Sequence, residues 1–261
     1  LFSVFLTQAD AADPLGKVLD QENQSRGVTR KALPAIDDLT YLRRVTIDLV
    51  GRIPTADEIQ QFEALPASSR RQQAADRLLS DERFADRWTV FFADMLRLRS
   101  NAEGGGASIA FVHRAIRQGM GWDEMARRMI SASGKAGATP ELGYILGDNV
   151  DPMALAGSTA QVFLGIRLQC ARCHHHPFES YSQADFYGLA AFFTRLDSKS
   201  SGTFGELGFD AVVSLAPLSV ERSLKHPRTG EVVAPRPLGG DPIDTRGVLD
   251  IREPLADWLT S

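Results

Sequence analysis

Cys170-Ala171-Arg172-Cys173-His174 is the stretch around which we expect this chain to fold, and it contains both of the chain's cysteines. The spacing C-x-x-C-H is the attachment signature of a c-type haem. In such a site the two thiols bond to the vinyl groups of the porphyrin, and the histidine binds the iron. A short helical turn suits this spacing, since it presents both sulfurs to one edge of the ring. We therefore predict one covalent haem c on Cys170 and Cys173, with His174 as the proximal axial ligand.

Other interpretations of the cysteine pair stay open. A C-x-x-C pair also occurs in redox dithiols and as half of a zinc site. A dithiol oxidoreductase usually carries the pair at the start of a helix in a βαβ setting, which we do not find, and a four-cysteine zinc site needs a second pair that the chain lacks. A mixed metal site that uses His174, His175 and His176 is an alternative, because imidazole binds zinc, copper and iron. A structural role or a disulfide is the third.

The amino-acid composition is that of a globular protein. The 261 residues suffice for one large domain or two small ones, and 43% hydrophobic with 24% charged residues is usual for a globular protein. The net charge of −4 argues against a general surface for nucleic acid or anionic membranes. There is no run of about 18 apolar residues, so we expect no transmembrane segment within this chain.

The first residues leave two interpretations open. Residues 1–6 are apolar, and alanines follow closely, as in the tail of a secretory signal or in a first helix or strand that packs on the core. The haem motif bears on location more directly, because covalent attachment takes place on the outer side of the bacterial inner membrane. We therefore expect a periplasmic or extracellular protein.

Helical periodicity dominates the chain, and we predict a mainly α fold in which an irregular multi-helix domain surrounds the haem. This domain spans residues 37–196 and follows an N-terminal segment at 1–36. Residues 197–247 are rich in Gly, Pro and Ser and are predicted to be loop-rich, with a small β-hairpin at His226–Glu231. Residues 248–261 are predicted to start a following helix or domain.

Local signals place individual helices. Thr55 with Glu58 forms a capping box, Asp151 before Pro152 is a good helix start, and Ser182 with Asp185 opens another helix. Residues 103–107 are predicted to be a glycine-rich loop before a helix at 108–118. Ser80 is predicted to cap the next helix. One apolar stripe runs along that helix, formed by Phe84, Trp88, Phe91, Phe92, Met95 and Leu98. We predict that this stripe is core rather than the lining of a haem pocket.

The chain resembles a known family at several motifs. Residues 162–178 (VFLGIRLQCARCHHHPF) resemble the C-A-x-C-H-x-H-P-F motif of the planctomycete-type cytochrome c-like domain of unknown function, and the aromatic run at 181–193 also fits. Residues 43–55 (RRVTIDLVGRIPT) and 84–88 (FADRW) resemble its upstream elements. The resemblance covers about residues 37–196. One departure is His175, where the family often has Asp.

The resemblance implies an exported protein with one haem in this domain and no established substrate. Residues 252–261 resemble the opening of a second domain that often follows in such proteins. The chain is therefore expected to be one part of a longer polypeptide, truncated before or at the start of that domain.

The residues beside the motif suggest further contacts. Arg172 is a candidate partner of a haem propionate. His176 could bind a propionate, orient a ligand, hold a second metal or a neighbouring haem, or anchor the turn before Pro177. The candidates for the sixth, distal iron ligand are His113 and Met153. Less favoured candidates are His226 and four methionines, Met95, Met120, Met125 and Met129. A histidine from a partner could also bind there, or the iron could have no sixth protein ligand.

The sixth ligand separates the functional classes. A methionine or histidine there closes the iron and favours electron transfer, whereas an open site admits peroxide or small gases. The sequence shows no distal acid–base pair, so we predict an exported protein that transfers single electrons as one module of a larger redox protein, rather than a self-contained enzyme. The alternatives are a haem-dependent oxidoreductase with an open iron site, and a structural or assembly module with a metal site. The redox partner is not identified. A following domain, or an oligomer with neighbouring haems, is expected, and nucleic acid is not.

Overall fold

The computed structural model describes residues 14–28, 35–199 and 211–261. These ranges form a mainly helical fold with small antiparallel sheets, which confirms the predicted fold class. The apolar segment at 1–6 lies outside the described residues. The α-helices are α1 Pro14–Ser25, α2 Asp38–Val50, α3 Ala56–Ala64, α4 Arg70–Leu79, α5 Glu82–Met95, α6 Gly105–Arg117, α7 Trp122–Ile130, α8 Gly143–Gly147, α9 Pro152–Leu164, α10 Gln183–Ala191 and α11 Arg252–Leu259.

Helices α2, α3 and α4 form a small unit with a buried cluster of its own, made by Leu42, Phe62 and Ala74. The predicted capping box at the start of α3 is confirmed, because Thr55 and Glu58 exchange both hydrogen bonds. Arg52 also donates to both carboxylate oxygens of Glu58, at 2.7 and 2.8 Å, and this charged partner lowers the pKa of Glu58 to about 2. Local hydrogen bonds therefore define where α3 begins.

The apolar stripe on α5 was predicted as core, and this prediction is wrong in part. The buried face of the helix consists of Ala85, Thr89 and Ala93, and Phe91 is 48% exposed. Small residues on a buried face let neighbouring helices approach closely, and α5 packs on α6 and α2. The cap is also different, because the side chain of Asp81, not Ser80, accepts from a backbone N–H of the first turn.

The large aromatic side chains of α5 are only partly buried and pack against one another and against α7. Ring centroids of Trp88 and Phe92 lie 6.1 Å apart, and Phe92 stacks on Trp122 of α7 at 5.3 Å. Phe163, near the end of α9, continues the row at 5.6 Å from Trp122. The aromatic residues thus join α5, α7 and α9 at the edge of the core.

The predicted glycine-rich loop at 103–107 is shorter than expected, because α6 already begins at Gly105. Gly104 adopts a left-handed conformation with φ of 71° and caps the helix. A Cβ on the buried Gly105 would collide with the backbone carbonyl of Arg99. These glycines allow a close approach of two backbone segments, and periodicity alone does not reveal such a requirement.

The main core lies around α9 and α10, which pack against each other. Beside it, β1 (Gly134–Lys135), β3 (Val212–Leu215) and β2 (Leu196–Lys199) form an antiparallel sheet in that order, in which Leu196 pairs with Leu215. A second antiparallel pair, β4 (Leu224–Lys225) and β5 (Val232–Val233), confirms the predicted hairpin around residues 226–231.

Helix α11 lies within the predicted segment 248–261 and packs on α7. Leu255 and Ala256 of this helix are fully buried in the main core. Arg252, its first residue, is also fully buried. The helix is therefore an integral part of the folded body. Across the described ranges, no helix combines the length and apolarity that crossing a membrane requires.

Candidate functional site

The cysteine pair lies on a short 3₁₀-helix, Leu168–Arg172, which begins shortly after α9 ends at the left-handed Gly165. Leu168 and Ala171 are fully buried, whereas Cys170 and Cys173 are exposed. The buried residues fix the turn to the core and leave both sulfurs accessible. The short helical turn predicted for the motif is present.

Helices α9 and α10 hold this cysteine turn from two sides. A Cβ on Gly157 of α9 would lie only 2.8 Å from Cγ of Gln169, so the glycine allows the turn to pack directly on the helix. From α10, the side-chain amide of Gln183 donates to the carbonyl oxygen of Arg172 at 2.8 Å. The exposed thiols therefore sit on a well-supported segment.

The geometry of the cysteine turn bears on two alternatives, a disulfide and a mixed metal site. Both thiols are free, so the pair forms no disulfide here. Within residues 14–28, 35–199 and 211–261, no three or more His, Cys, Asp or Glu side chains are placed together to hold a metal ion. The mixed site of His174, His175 and His176 is therefore not preformed.

The ring of His174 is oriented by its neighbour. Its Nδ1 atom lies 2.6 Å from the carbonyl oxygen of His175. A carbonyl oxygen only accepts, so Nδ1 carries the hydrogen and Nε2 keeps its lone pair. The residue is exposed. An imidazole whose Nδ1–H is held by a backbone carbonyl is typical of a metal-ligating histidine.

His176 uses its ring in the opposite way. Its Nε2 donates to the carbonyl oxygen of Arg167 at 3.1 Å, and its Nδ1 accepts from the backbone N–H groups of Phe178 and Glu179 at 3.3 and 3.0 Å. Both ring nitrogens are therefore occupied by the backbone. Of the roles considered for His176, this geometry is that of an anchor for the turn around Pro177.

The distal candidates lie on different helices. His113 of α6 points Nε2 at a carboxylate oxygen of Asp86 on α5, at 3.0 Å. The cysteine turn, by comparison, packs mainly on α9 and α10. Met153 lies in the first turn of α9 and packs, partly buried, against the main core. Arg172 is exposed, and its side chain contacts no described residue through a hydrogen bond or ion pair.

Two further residues near the turn were not predicted. Gln183 supports the cysteine turn through its hydrogen bond to Arg172, and no local sequence pattern indicates this contact. Phe178 is 91% exposed, two residues after His176. A phenylalanine side chain with so large an exposed fraction presents apolar surface close in sequence to the cysteine motif.

We expect His176→Ala to destabilise the protein by about 1–2 kcal/mol, because it leaves one carbonyl and two N–H groups without their partner at a half-buried position. His176→Asn should lose less, since a short amide oxygen accepts from the same N–H groups in an Asx turn. Urea denaturation of the two variants and wild type measures the difference. Equal stability of all three would contradict the anchoring role.

Comparison with known proteins identifies a family over most of the chain. The PSCyt2 family, described as a protein of unknown function (DUF1549), matches residues 14–198. The match includes the cysteine turn and extends further toward the N-terminus than the resemblance at 37–196. Comparisons with curated proteins and with solved structures gave no match. The chain thus belongs to the PSCyt2 family, a planctomycete cytochrome-like domain of unknown function.

Proposed function

We propose that this chain is an exported c-type haem protein that transfers single electrons as one module of a larger redox protein. Cys170 and Cys173 hold the haem, and His174 binds its iron. The observation that carries the proposal is the exposed thiol pair on a supported turn, followed at once by an imidazole whose Nε2 lone pair is free. Membership of a cytochrome-like family agrees with it.

The residues at the turn fit covalent attachment. Each thiol would add across one vinyl double bond, so that a carbon–sulfur bond would form, the π bond would break and the thiol hydrogen would pass to the other vinyl carbon. This addition is balanced without an oxidant or reductant. Because both sulfurs are accessible and neither is engaged in a disulfide, the turn does not need to unfold for the reaction.

The arrangement favours electron transfer over chemistry at the iron. When bound, the haem supplies reversible one-electron exchange between ferric and ferrous iron. The cysteine turn lies on the surface, where a redox partner can approach it closely. Two of the histidines are already engaged, because His113 pairs with Asp86 and His176 is held by the backbone, so neither serves as an acid–base catalyst beside the iron.

Export is part of the proposal, because covalent capture keeps a cofactor in a compartment where a dissociated haem would be lost by dilution. The periplasm or the extracellular space meets this description.

Redox potentiometry of the protein, matured with the haem-attachment machinery, tests the function. We expect a reversible one-electron couple and slow or absent binding of carbon monoxide to the ferrous form. Rapid carbon monoxide binding would favour the alternative of an oxidoreductase with an open iron site. A haem without reversible one-electron reduction would overturn the electron-transfer proposal.

A further inference from the structure

A groove opens directly beside the cysteine turn. Its first part, a cleft of about 350 Å³, lies between His175 of the turn, the start of α10 at Ser182–Ala184 and the β4–β5 hairpin at His226 and Arg228. A second cleft of about 310 Å³ shares residues of α10 and the hairpin with the first and continues along β5. The two clefts, which together we call the groove, share Ala184, His226 and Thr229, and His175 in the first cleft directly follows the proposed iron ligand.

The end of the groove nearest to the cysteines is basic. His175, His226 and Arg228 all line the first cleft. Among the described residues, Arg228 has no ion-pair partner, and the ring of His175 makes no hydrogen bond. Asp185, the nearest acid on α10, is already paired with Arg236 at 2.8 Å. An anion would therefore meet uncompensated donors at this end.

The ring of His226 is prepared as a donor. Its Nδ1 accepts from the backbone N–H groups of Arg228 and Thr229, at 3.3 and 3.4 Å, in the same His-Pro turn that His176 forms. The neutral ring therefore carries its hydrogen on Nε2. Nε2 has no partner among the described residues. This tautomer disfavours His226 as an iron ligand and presents an N–H group for an acceptor.

Gln183 gives a second, independent sign that the groove holds something. It is 5% exposed, lines the first cleft, and its Oε1 has no hydrogen-bond partner. The orientation of the amide is fixed, because its Nε2 donates to the carbonyl of Arg172. A buried acceptor of this kind is satisfied when a water or a ligand group donates to it. A water that donates one hydrogen to Oε1 and the other to a carboxylate would satisfy it.

We propose that this groove binds the propionate carboxylates of the haem held by Cys170 and Cys173, with Arg228 and Nε2–H of His226 as the donors. The inference rests on the proposed function, since it concerns the same haem. It assigns the β4–β5 hairpin, which lies more than 50 residues after the cysteines, to the haem site. The ligand chemistry is that of a carboxylate pair, and propionates are its source because the groove starts at the turn that bears the haem.

The test uses the matured full chain and compares Arg228→Gln with Arg246→Gln. Arg246 is a matched control, because it lies on the surface with a 90% exposed side chain and pairs only with Asp244. The mass of each protein is measured first, so that haem attachment is known. We expect Arg228→Gln to shift the propionate bending bands in the resonance Raman spectrum and to lower the midpoint potential, since loss of a positive charge stabilises the ferric form. The control should leave both unchanged.

If the haem is attached and Arg228→Gln matches the control in both measurements, the inference is wrong while the proposed function stands. A second experiment adds free succinate, a soluble dicarboxylate, to the matured wild type. If succinate shifts the backbone amide NMR signals of residues 226–229 in matured wild type, the groove takes carboxylates from another source and the assignment to propionates fails. If no haem is attached at all, the proposed function fails, and this inference fails with it.

Discussion

The matured chain in which both cysteines are replaced by alanine, Cys170→Ala/Cys173→Ala, is expected to carry no covalently attached haem. The chain has only these two cysteines, so no other thiol can substitute. Each single variant should retain one thioether at most and attach haem less efficiently. Mass spectrometry of the denatured proteins measures the attachment directly.

The fold of these cysteine variants provides the control. Both residues are exposed, and the turn is fixed by the buried Leu168 and Ala171. In the apo form, the free energy of unfolding should therefore change by no more than about 0.5 kcal/mol. A double variant that still gained the mass of a haem would contradict the attachment site. His174→Ala should keep both thioethers but change the coordination spectrum, because it removes only the axial imidazole.

The second large effect is expected at Arg252, at the start of α11. Its side chain is 1% exposed and donates to both carboxylate oxygens of Asp250, at 2.8 and 2.6 Å. It also donates to the last carbonyl oxygens of the α7 segment, those of Ile130, Ser131 and Ala132, at 2.7 to 3.1 Å. One guanidinium thus joins two helices and caps one of them.

We expect Arg252→Ala to lower the free energy of unfolding by about 3–5 kcal/mol, since it removes the guanidinium that pairs with a partly buried carboxylate and donates to three carbonyl groups. Arg246→Ala removes another arginine–aspartate pair, but on the surface, and should lower the free energy of unfolding much less. Urea denaturation of both variants measures the two effects. Equal losses would show that burial of the Arg252 pair does not matter for stability.

Features fixed by a few neighbouring residues were predictable from the sequence. The capping boxes at Thr55–Glu58 and Ser182–Asp185 involve residues three positions apart, and both are confirmed. The turn at the cysteines follows from the spacing of the motif, and the hairpin after His226 follows from its proline and glycine. In each case the hydrogen bonds stay within a few residues.

Features that depend on distant contacts were not predictable. The two-residue strand β1 pairs with β3 about 80 positions later, and neither has a distinctive pattern. The stripe on α5 looks like core by periodicity, yet the residues that the helix buries are small, and its neighbours α6 and α2 come from other parts of the sequence. Likewise, Gln183 supports the cysteine turn, and His226 reaches the groove, through contacts between elements far apart in the sequence.

The most direct test of covalent haem attachment is the mass of the purified, matured chain, measured together with its absorption spectrum in the oxidised and reduced states. We predict the mass of the polypeptide plus one haem, and a Soret band that moves on reduction. A colourless protein with the mass of the bare polypeptide would contradict it.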